Sequence, residues 1–388
     1  MRFPVFWLIK IMPIHEIDIQ LFEKIDMDCL ASGSHAMSKG TLMHSNKIWF
    51  CKAASNALRA RYEVLAQEFY RLIISGQPET RIAKQLQNNE YFILSEEVSG
   101  IQQLPLNKQA RFTNGVYTGL GEILIVSIFL HEIDLNLGNV VINSNNKVIK
   151  IDGDWSMASL VRPDLLDNKP AQITPRLLES LPYLPPSDYV AHNWLDICSG
   201  GNVVEKSAIF HDDLLIAPHY IAEINQAILG ILLLPRHFIQ QFINMYMLED
   251  TGSLLDIVLM RQAELKESAM QTASFIAYIT SPEARTTARH QFDHMKQFSA
   301  NDLYPIIHPT DHGMLQQSFD ALRSELMPND HGSPNTVTVI DVLDGAIDPP
   351  TLQTPTYTTN KNRFFSSSAF PGTSALRLNR TYPDLSAL

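Results

Sequence analysis

The sequence predicts an α+β fold of two lobes, a small mixed β-sheet with one main helix followed by a larger, mostly helical part. Three observations carry this expectation. Short alternating apolar segments flank one long apolar stripe within residues 1–100, a second apolar stretch at 111–131 runs into a polar loop and an apolar hairpin, and the pattern is helical from about residue 163. Hydrophobic residues at 45% against charged ones at 18% supply enough apolar surface for a packed core, which excludes a wholly disordered chain.

Along the first lobe, 1–14 begin basic and apolar, but Lys10 and Pro13 interrupt the run, so it reads as folded structure rather than a cleaved signal. Residues 15–28 are acidic and helix-like. Alternation in Lys47-Ile48-Trp49-Phe50-Cys51-Lys52 marks a half-buried strand, and Glu90-Tyr91-Phe92-Ile93-Leu94 marks another. Between them Leu58, Tyr62, Leu65, Phe69 and Leu72 recur at three- and four-residue steps, one apolar stripe on a helix of about 17 residues.

In the second lobe, 140–142 and 148–151 form a hairpin around an Asn-rich turn. Helical patterning is strong at 216–247 and 253–294. Beyond 331 the composition turns to Pro, Thr, Ser and Asn, a loosely ordered tail. The expected domains are therefore 1–100, 101–250, a helical extension at 251–330, and the tail at 331–388.

Several function classes recede on composition. The formal charge of −11 argues against nucleic acid as the main partner, since backbone binding needs clustered Lys and Arg. Cys29, Cys51 and Cys198 are too scattered for a disulfide framework or a zinc site, and the chain reads as cytosolic. The longest late apolar run, 227–234, is far short of a membrane span.

The chemistry concentrates between His131 and Asp154. Asn139 follows Asp134 by five positions and Asp152 follows Asn139 by thirteen, with the hairpin between them. Such spacing suits phosphoryl transfer: Asp134 orients or deprotonates an acceptor hydroxyl, while Asn139 and Asp152, with Asp154 as an extra ligand, hold Mg or Mn against the phosphates of ATP. Upstream, Lys52 ends a strand where a lysine would grip the α- and β-phosphates, with Glu63 or Glu68 as its ion-pair partner; Glu63 is preferred. The segment 32–41 reads as a phosphate-covering loop through Gly33, Ser34, Ser38 and Gly40, and Glu97 and Val98 stand where backbone groups would receive adenine.

Taken singly, each residue has a plainer reading. Asp134 and Asn139 would be cap or turn residues, Lys52 a solvated strand end, and Asp152-Gly153-Asp154 an ordinary turn. Their order decides: loop, lysine, helix glutamate, Asp-x4-Asn and strand-borne Asp follow the sequence of a protein-kinase-like fold. Two further readings share these residues, a phosphoinositide (lipid) kinase and a pseudokinase that binds without chemistry. A metal hydrolase built on His211, Asp212, Asp213 and His219 is discounted, because the histidines lie eight apart with no third ligand.

On 38–41, 62–72, 150–156, 173–175 and 193–196 the chain resembles the atypical effector kinases that Legionella delivers into host cells through a type IV secretion system. That resemblance implies a bacterial cytoplasmic origin, secretion into a host cell with membrane association there, an export signal in the C-terminal tail, and phosphorylation of a host protein, Ser or Thr. It also implies a host ligand, inositol hexakisphosphate as activator or a phosphoinositide, for which Arg59, Arg61, Arg71, Arg81, Lys84, Lys108 and Arg111 are the available cations. The pattern departs from the family of kinases at Gly153, where an aromatic is usual, and at Glu132, where an arginine would pair with a phosphorylated activation loop.

Overall fold

The structure, a computed structural model, describes residues 16–26, 37–43, 46–104, 110–161, 172–184, 191, 193–195, 212–234, 236–248 and 251–301. All of them belong to one compact unit. The tail at 331–388, Gly33, Ser34, Lys108 and His211 lie outside the described residues.

A six-stranded mixed sheet opens the chain. Its strands are β1 (Glu16–Asp18), β2 (Phe22–Asp26), β3 (Met37–Leu42), β4 (Ile48–Ala53), β5 (Thr80–Gln85) and β6 (Glu90–Glu96), in the order β1-β5-β6-β4-β3-β2. Only the β1–β5 pair is parallel. Two expectations are corrected by it. Residues 16–26 are two short strands rather than a helix, because β1 pairs with β5 and β2 with β3, and Asp18 caps the 3-10 turn between them through Gln20 N–H at 3.0 Å. Residues 37–41 are strand rather than loop. Ser38 pairs with Cys51 and Gly40 with Trp49, and β3 is flanked on both edges, so its backbone donors serve the sheet. Gly40 is glycine because a Cβ there would strike the Glu23 carbonyl and the Phe22 ring across the ladder.

Helix α1 (Ala57–Ile73) crosses the sheet, begun by Asn56, whose side chain accepts from Arg59 N at 2.9 Å. A single apolar stripe was expected, but Leu58 is exposed and the helix is buried on all sides from Ala60 to Ile73. The reason is a second layer: β5 and β6 cover one face, and α3 (Leu120–Phe129), α7 (Arg236–Tyr246) and α10 (Pro282–Asn301) cover the rest. Polar α1 side chains are consequently buried in pairs. Glu68 accepts from Arg71 Nε, from Thr80 N at 2.6 Å and from Tyr246 Oη at 3.1 Å, and Arg61 binds Glu16 at 2.7 Å and the Tyr246 carbonyl at 2.8 Å. One apolar core runs from α1 through α3 into the helical body, so the sheet and the helices share a core.

The helical body comprises α6 (Pro218–Leu232), α7, α8 (Thr251–Ala269), α9 (Ala273–Ile279) and α10, with the short α5 (Pro175–Ser180) against α8. The two long helical patterns are thus divided, with Pro235 between α6 and α7 and Thr272 between α8 and α9. Among the described residues, no helix is long and apolar enough to cross a membrane. Helix α3 packs on α6, and Glu223 of α6 accepts from Gly119 N at 2.7 Å and Gly121 N at 2.9 Å, capping α3 from outside.

Burial pushes the Glu223 carboxyl up to about 7 despite these N–H groups. A folded pKa above the unfolded one binds a proton that unfolding releases, so this contribution is full below the unfolded value of 4.5 and is lost as pH rises through about 7. Glu223→Gln is expected to flatten the fall in urea midpoint between pH 5 and 8, a change of up to about 3 kcal/mol in stability.

Candidate active site

Four short strands bring the site together. Strand β8 (Asp134–Leu135) pairs in parallel with β11 (Asn193–Trp194), which sets Asn193 opposite Asp134. Strands β9 (Val140–Ile142) and β10 (Val148–Lys150) form the hairpin, with Ile142 opposite Val148. The Asn139 carbonyl then accepts from Ile151 N at 3.1 Å, tying the loop to the end of β10 just before Asp152.

The loop is braced by its own polar groups. Asn139 Nδ2 donates to the Asp134 carbonyl at 3.0 Å and reaches Asp134 Oδ2 at 3.5 Å, while Asn136 Nδ2 donates to Asp134 Oδ2 at 3.1 Å. Both carboxamides therefore steer the Asp134 carboxylate. Upstream, Arg261 of α8 donates to the Ile128 and Phe129 carbonyls, satisfying the C-terminal end of α3 from which the loop departs. His131 follows in the left-handed region, φ 52°, and burial, with the Arg261 charge beside it, drives its imidazole down to about 3, so it is neutral.

Lys52 closes the site from the sheet side. Its Nζ lies 2.6 Å from Glu63 Oε1 and 3.3 Å from Asp152 Oδ1. Glu63 is thus the α1 carboxylate that faces Lys52, and Glu68, five residues on, points to Arg71 and Thr80 instead. Burial disfavours the Lys52 charge, but Glu63 and Asp152 outweigh it and raise its pKa, so the lysine stays protonated. Burial and the Asp152 charge push Glu63 up to about 8 against the pull of Lys52, and push Asp154 up to about 7. Asp152 itself is held below the usual carboxylate range, burial being overcome by Lys52 and Lys150.

Such crowding of carboxylates would suit a divalent cation. Three carboxylates, Glu63, Asp152 and Asp154, crowd one lysine, and burial with the Asp152 charge disfavours ionisation of Glu63 and Asp154. A hard cation on Asp152, Asp154 and the Asn139 carboxamide oxygen would offset that negative charge. Among the described residues no group of three or more His, Cys, Asp or Glu side chains could hold a metal ion by itself. Magnesium suits such an incomplete set, because it keeps several waters and takes phosphate oxygens beside one or two carboxylates.

The roles of three residues escaped the sequence reading. Glu132 is buried and accepts from Asp134 N at 2.9 Å and Ser156 Oγ at 2.7 Å, and its carboxylate lies 3.5 Å from Lys150 Nζ. Lys150 is fully buried behind Asp152, with Nζ 5.9 Å from the Tyr70 ring centroid. Gln67 of α1 abuts Gly153, where a Cβ would sit 3.2 Å from Gln67 Nε2. A lysine inside the apolar run Val148-Ile149-Lys150-Ile151 was the available clue to this buried pair.

Other expected site residues stand elsewhere. Ser38 and Gly40 are in the sheet, and the Glu97 N–H donates to the Ile48 carbonyl at 2.8 Å while its carboxylate binds Lys39. Val98 is half-buried beyond β6. Of the expected cations, Arg61, Arg71, Arg81 and Lys84 face Glu16, Glu68, Glu79 and Glu16 respectively, and Arg111 lies over the Tyr117 ring. His219 contacts the Phe112 carbonyl.

The sheet, hairpin and loop thus define a lysine-anchored, carboxylate-rich site. No protein-family model matches the chain, and no curated protein does. Among solved structures the chain is similar to the Helicobacter pylori proinflammatory kinase CtkA, at 11% identity and a TM-score of 0.35 over 71% of this chain and 99% of that one.

Proposed function

We propose that this chain is an ATP- and Mg- or Mn-dependent phosphotransferase of the protein-kinase type, acting on Ser or Thr of a host protein. The observation that carries the reading is the position of Lys52 Nζ between Glu63 at 2.6 Å and Asp152 at 3.3 Å, on the side of the hairpin where Asn139 and Asp134 lie. A lysine held protonated there suits the α- and β-phosphates of ATP. Asp134, steered by Asn136 and Asn139, accepts the proton of the attacking hydroxyl. Asp152, Asp154 and Asn139 would hold the metal, which supplies charge neutralisation at the bridging phosphates.

Host delivery, the protein acceptor and activation by inositol hexakisphosphate are proposed on the resemblance to the Legionella effector kinases. The ion-paired state of Arg61, Arg71 and Arg81 means that a polyphosphate binding at these cations would have to displace internal carboxylates.

The test uses radiolabelled ATP with Mg or Mn, with and without inositol hexakisphosphate, on host-extract proteins and in parallel on phosphoinositide vesicles. Transfer to protein that falls to background in Asp152→Ala is expected. Transfer to vesicles alone would replace the acceptor with lipid. Absence of transfer under every metal and additive overturns the reading and leaves a binding module.

A further inference from the structure

The face of β4 that carries Lys52 continues away from the carboxylates. Side chains two apart on a strand share a face, so Phe50 and Ile48 stand in line with Lys52, while Trp49 and Cys51 turn to the opposite face and join Phe22, Leu42 and Leu94 there. Phe50 is half-buried and lies outside both of the chain's larger apolar clusters. Lys39 of β3 is directly opposite Phe50 in the ladder, with its Nζ 5.8 Å from the Phe50 ring centroid and 2.5 Å from Glu97 Oε1. The Lys39 and Glu97 side chains are 27% and 28% exposed, so this ion pair meets solvent.

The spacing along the strand suits a nucleotide. At about 3.3 Å per residue, Phe50 lies about 7 Å and Ile48 about 13 Å from Lys52. Glu97 stands at the Ile48 end, where its N–H donates to the Ile48 carbonyl at 2.8 Å. In the other direction β4 ends at Ala53, one residue past Lys52, so only the Phe50 side offers strand to lie along. One ribose separates the phosphates of a nucleotide from its base, a span of this order, so phosphates on Lys52 bring the base to Phe50, Lys39 and Glu97. The Glu97 N–H, expected to receive adenine, is spent in the sheet, and the side chains remain to read the base.

We propose that Phe50, Lys39 and Glu97 form a purine subsite that reads its base through side chains, and that the chain therefore takes GTP as readily as ATP. The inference rests on the reading of the lysine–carboxylate cleft as a nucleotide site. Phe50 supplies a ring face on which either purine stacks. Lys39 brings only donors and Glu97 only acceptors. Adenine presents an N6–H donor beside its N1 acceptor, and guanine an O6 acceptor beside its N1–H donor, the same two functions in opposite order. A backbone N–H and carbonyl are fixed in order and favour one purine. Two side chains on rotatable stems can exchange places and serve both orders, and a part-exposed ion pair is cheap to open for that purpose.

Calorimetric titration of the full chain with the magnesium complexes of ATP, GTP and tripolyphosphate tests this. ATP and GTP are expected to bind within about threefold of each other and about tenfold or more tighter than tripolyphosphate, which has no base to stack. Lys52→Met should weaken all three. Phe50→Leu keeps an apolar side chain and removes the ring, so it should weaken both nucleotides about fivefold or more and leave tripolyphosphate unchanged. The charge-balanced double variant Lys39→Met with Glu97→Met should weaken both nucleotides about three- to tenfold and again spare tripolyphosphate. A merely structural role for these residues would weaken all three ligands alike. One purine nucleotide bound more than about tenfold tighter than the other, tripolyphosphate bound as tightly as the nucleotides, or unchanged nucleotide affinity in both variants overturns the proposal. Binding of the expected pattern without phosphoryl transfer leaves the subsite standing and removes the transferase reading, whereas transfer from ATP but not from GTP does the reverse. No binding of either nucleotide overturns both.

Discussion

Glu132→Ala lowers the free energy of unfolding by about 3–5 kcal/mol and takes phosphoryl transfer to background. Both effects follow from one carboxylate. Glu132 lies 3.5 Å from the fully buried Lys150 ammonium, and it also accepts from Asp134 N and Ser156 Oγ. Truncation leaves the ammonium buried without the carboxylate beside it, which is the costly half of a broken internal pair. It also frees the backbone that aims Asp134. The two effects separate in a double variant. Glu132→Ala combined with Lys150→Met should recover most of the urea midpoint, because the stranded charge is gone, yet remain without activity, because Asp134 N still lacks its acceptor. A single variant that loses less than about 1 kcal/mol would show that the pair does not exist in solution.

The second large effect runs against a reading by motif. Kinases usually carry an aromatic after the metal-binding aspartate, so Gly153→Phe looks like a restoration. It is expected to cost about 1–3 kcal/mol and to abolish transfer. A Cβ at Gly153 would meet Gln67 Nε2 at 3.2 Å, Gln67 Cγ at 3.3 Å and the Glu63 carbonyl at 3.4 Å. A methyl fits with a shift of a few tenths of an ångström, so Gly153→Ala should be nearly silent. A phenyl ring must push α1 outward and carry Glu63 away from Lys52. Differential scanning calorimetry and the ATP assay check both variants. The companion Gly153→Phe with Gln67→Ala, which opens space on α1, should recover part of the stability. If Gly153→Phe instead raises activity, α1 is not packed on the Asp152–Asp154 turn in the working state.

These variants also mark how much was legible beforehand. Periodicity placed α1, β4, β6 and the β9–β10 hairpin, because each has a strong local pattern of period 3.6 or 2. The chemistry-bearing spacing of Asp134, Asn139 and Asp152 was equally local, since one loop and one hairpin span it. Residues 16–26 were misread because acidic residues among isoleucines suggested a helix, while it is pairing with β5 and β3 that makes them strands. Ser38 and Gly40 looked like loop by composition, and only pairing with β2 and β4 made them strand.

The sequence by itself determined the α+β order of elements and the spacing of Asp134, Asn139 and Asp152 across one loop and one hairpin, because these depend on neighbours within one turn or one hairpin. Tertiary structure alone decided which partner each charge meets. Lys52 chose Glu63 over Glu68 because α1 presents the former to β4 and the latter to Arg71 and Thr80. Lys150 met Glu132, and Gly153 met Gln67, across elements far apart in the chain. Electrostatic and steric partners at such separations are set by how helices pack on the sheet, and no local periodicity encodes them.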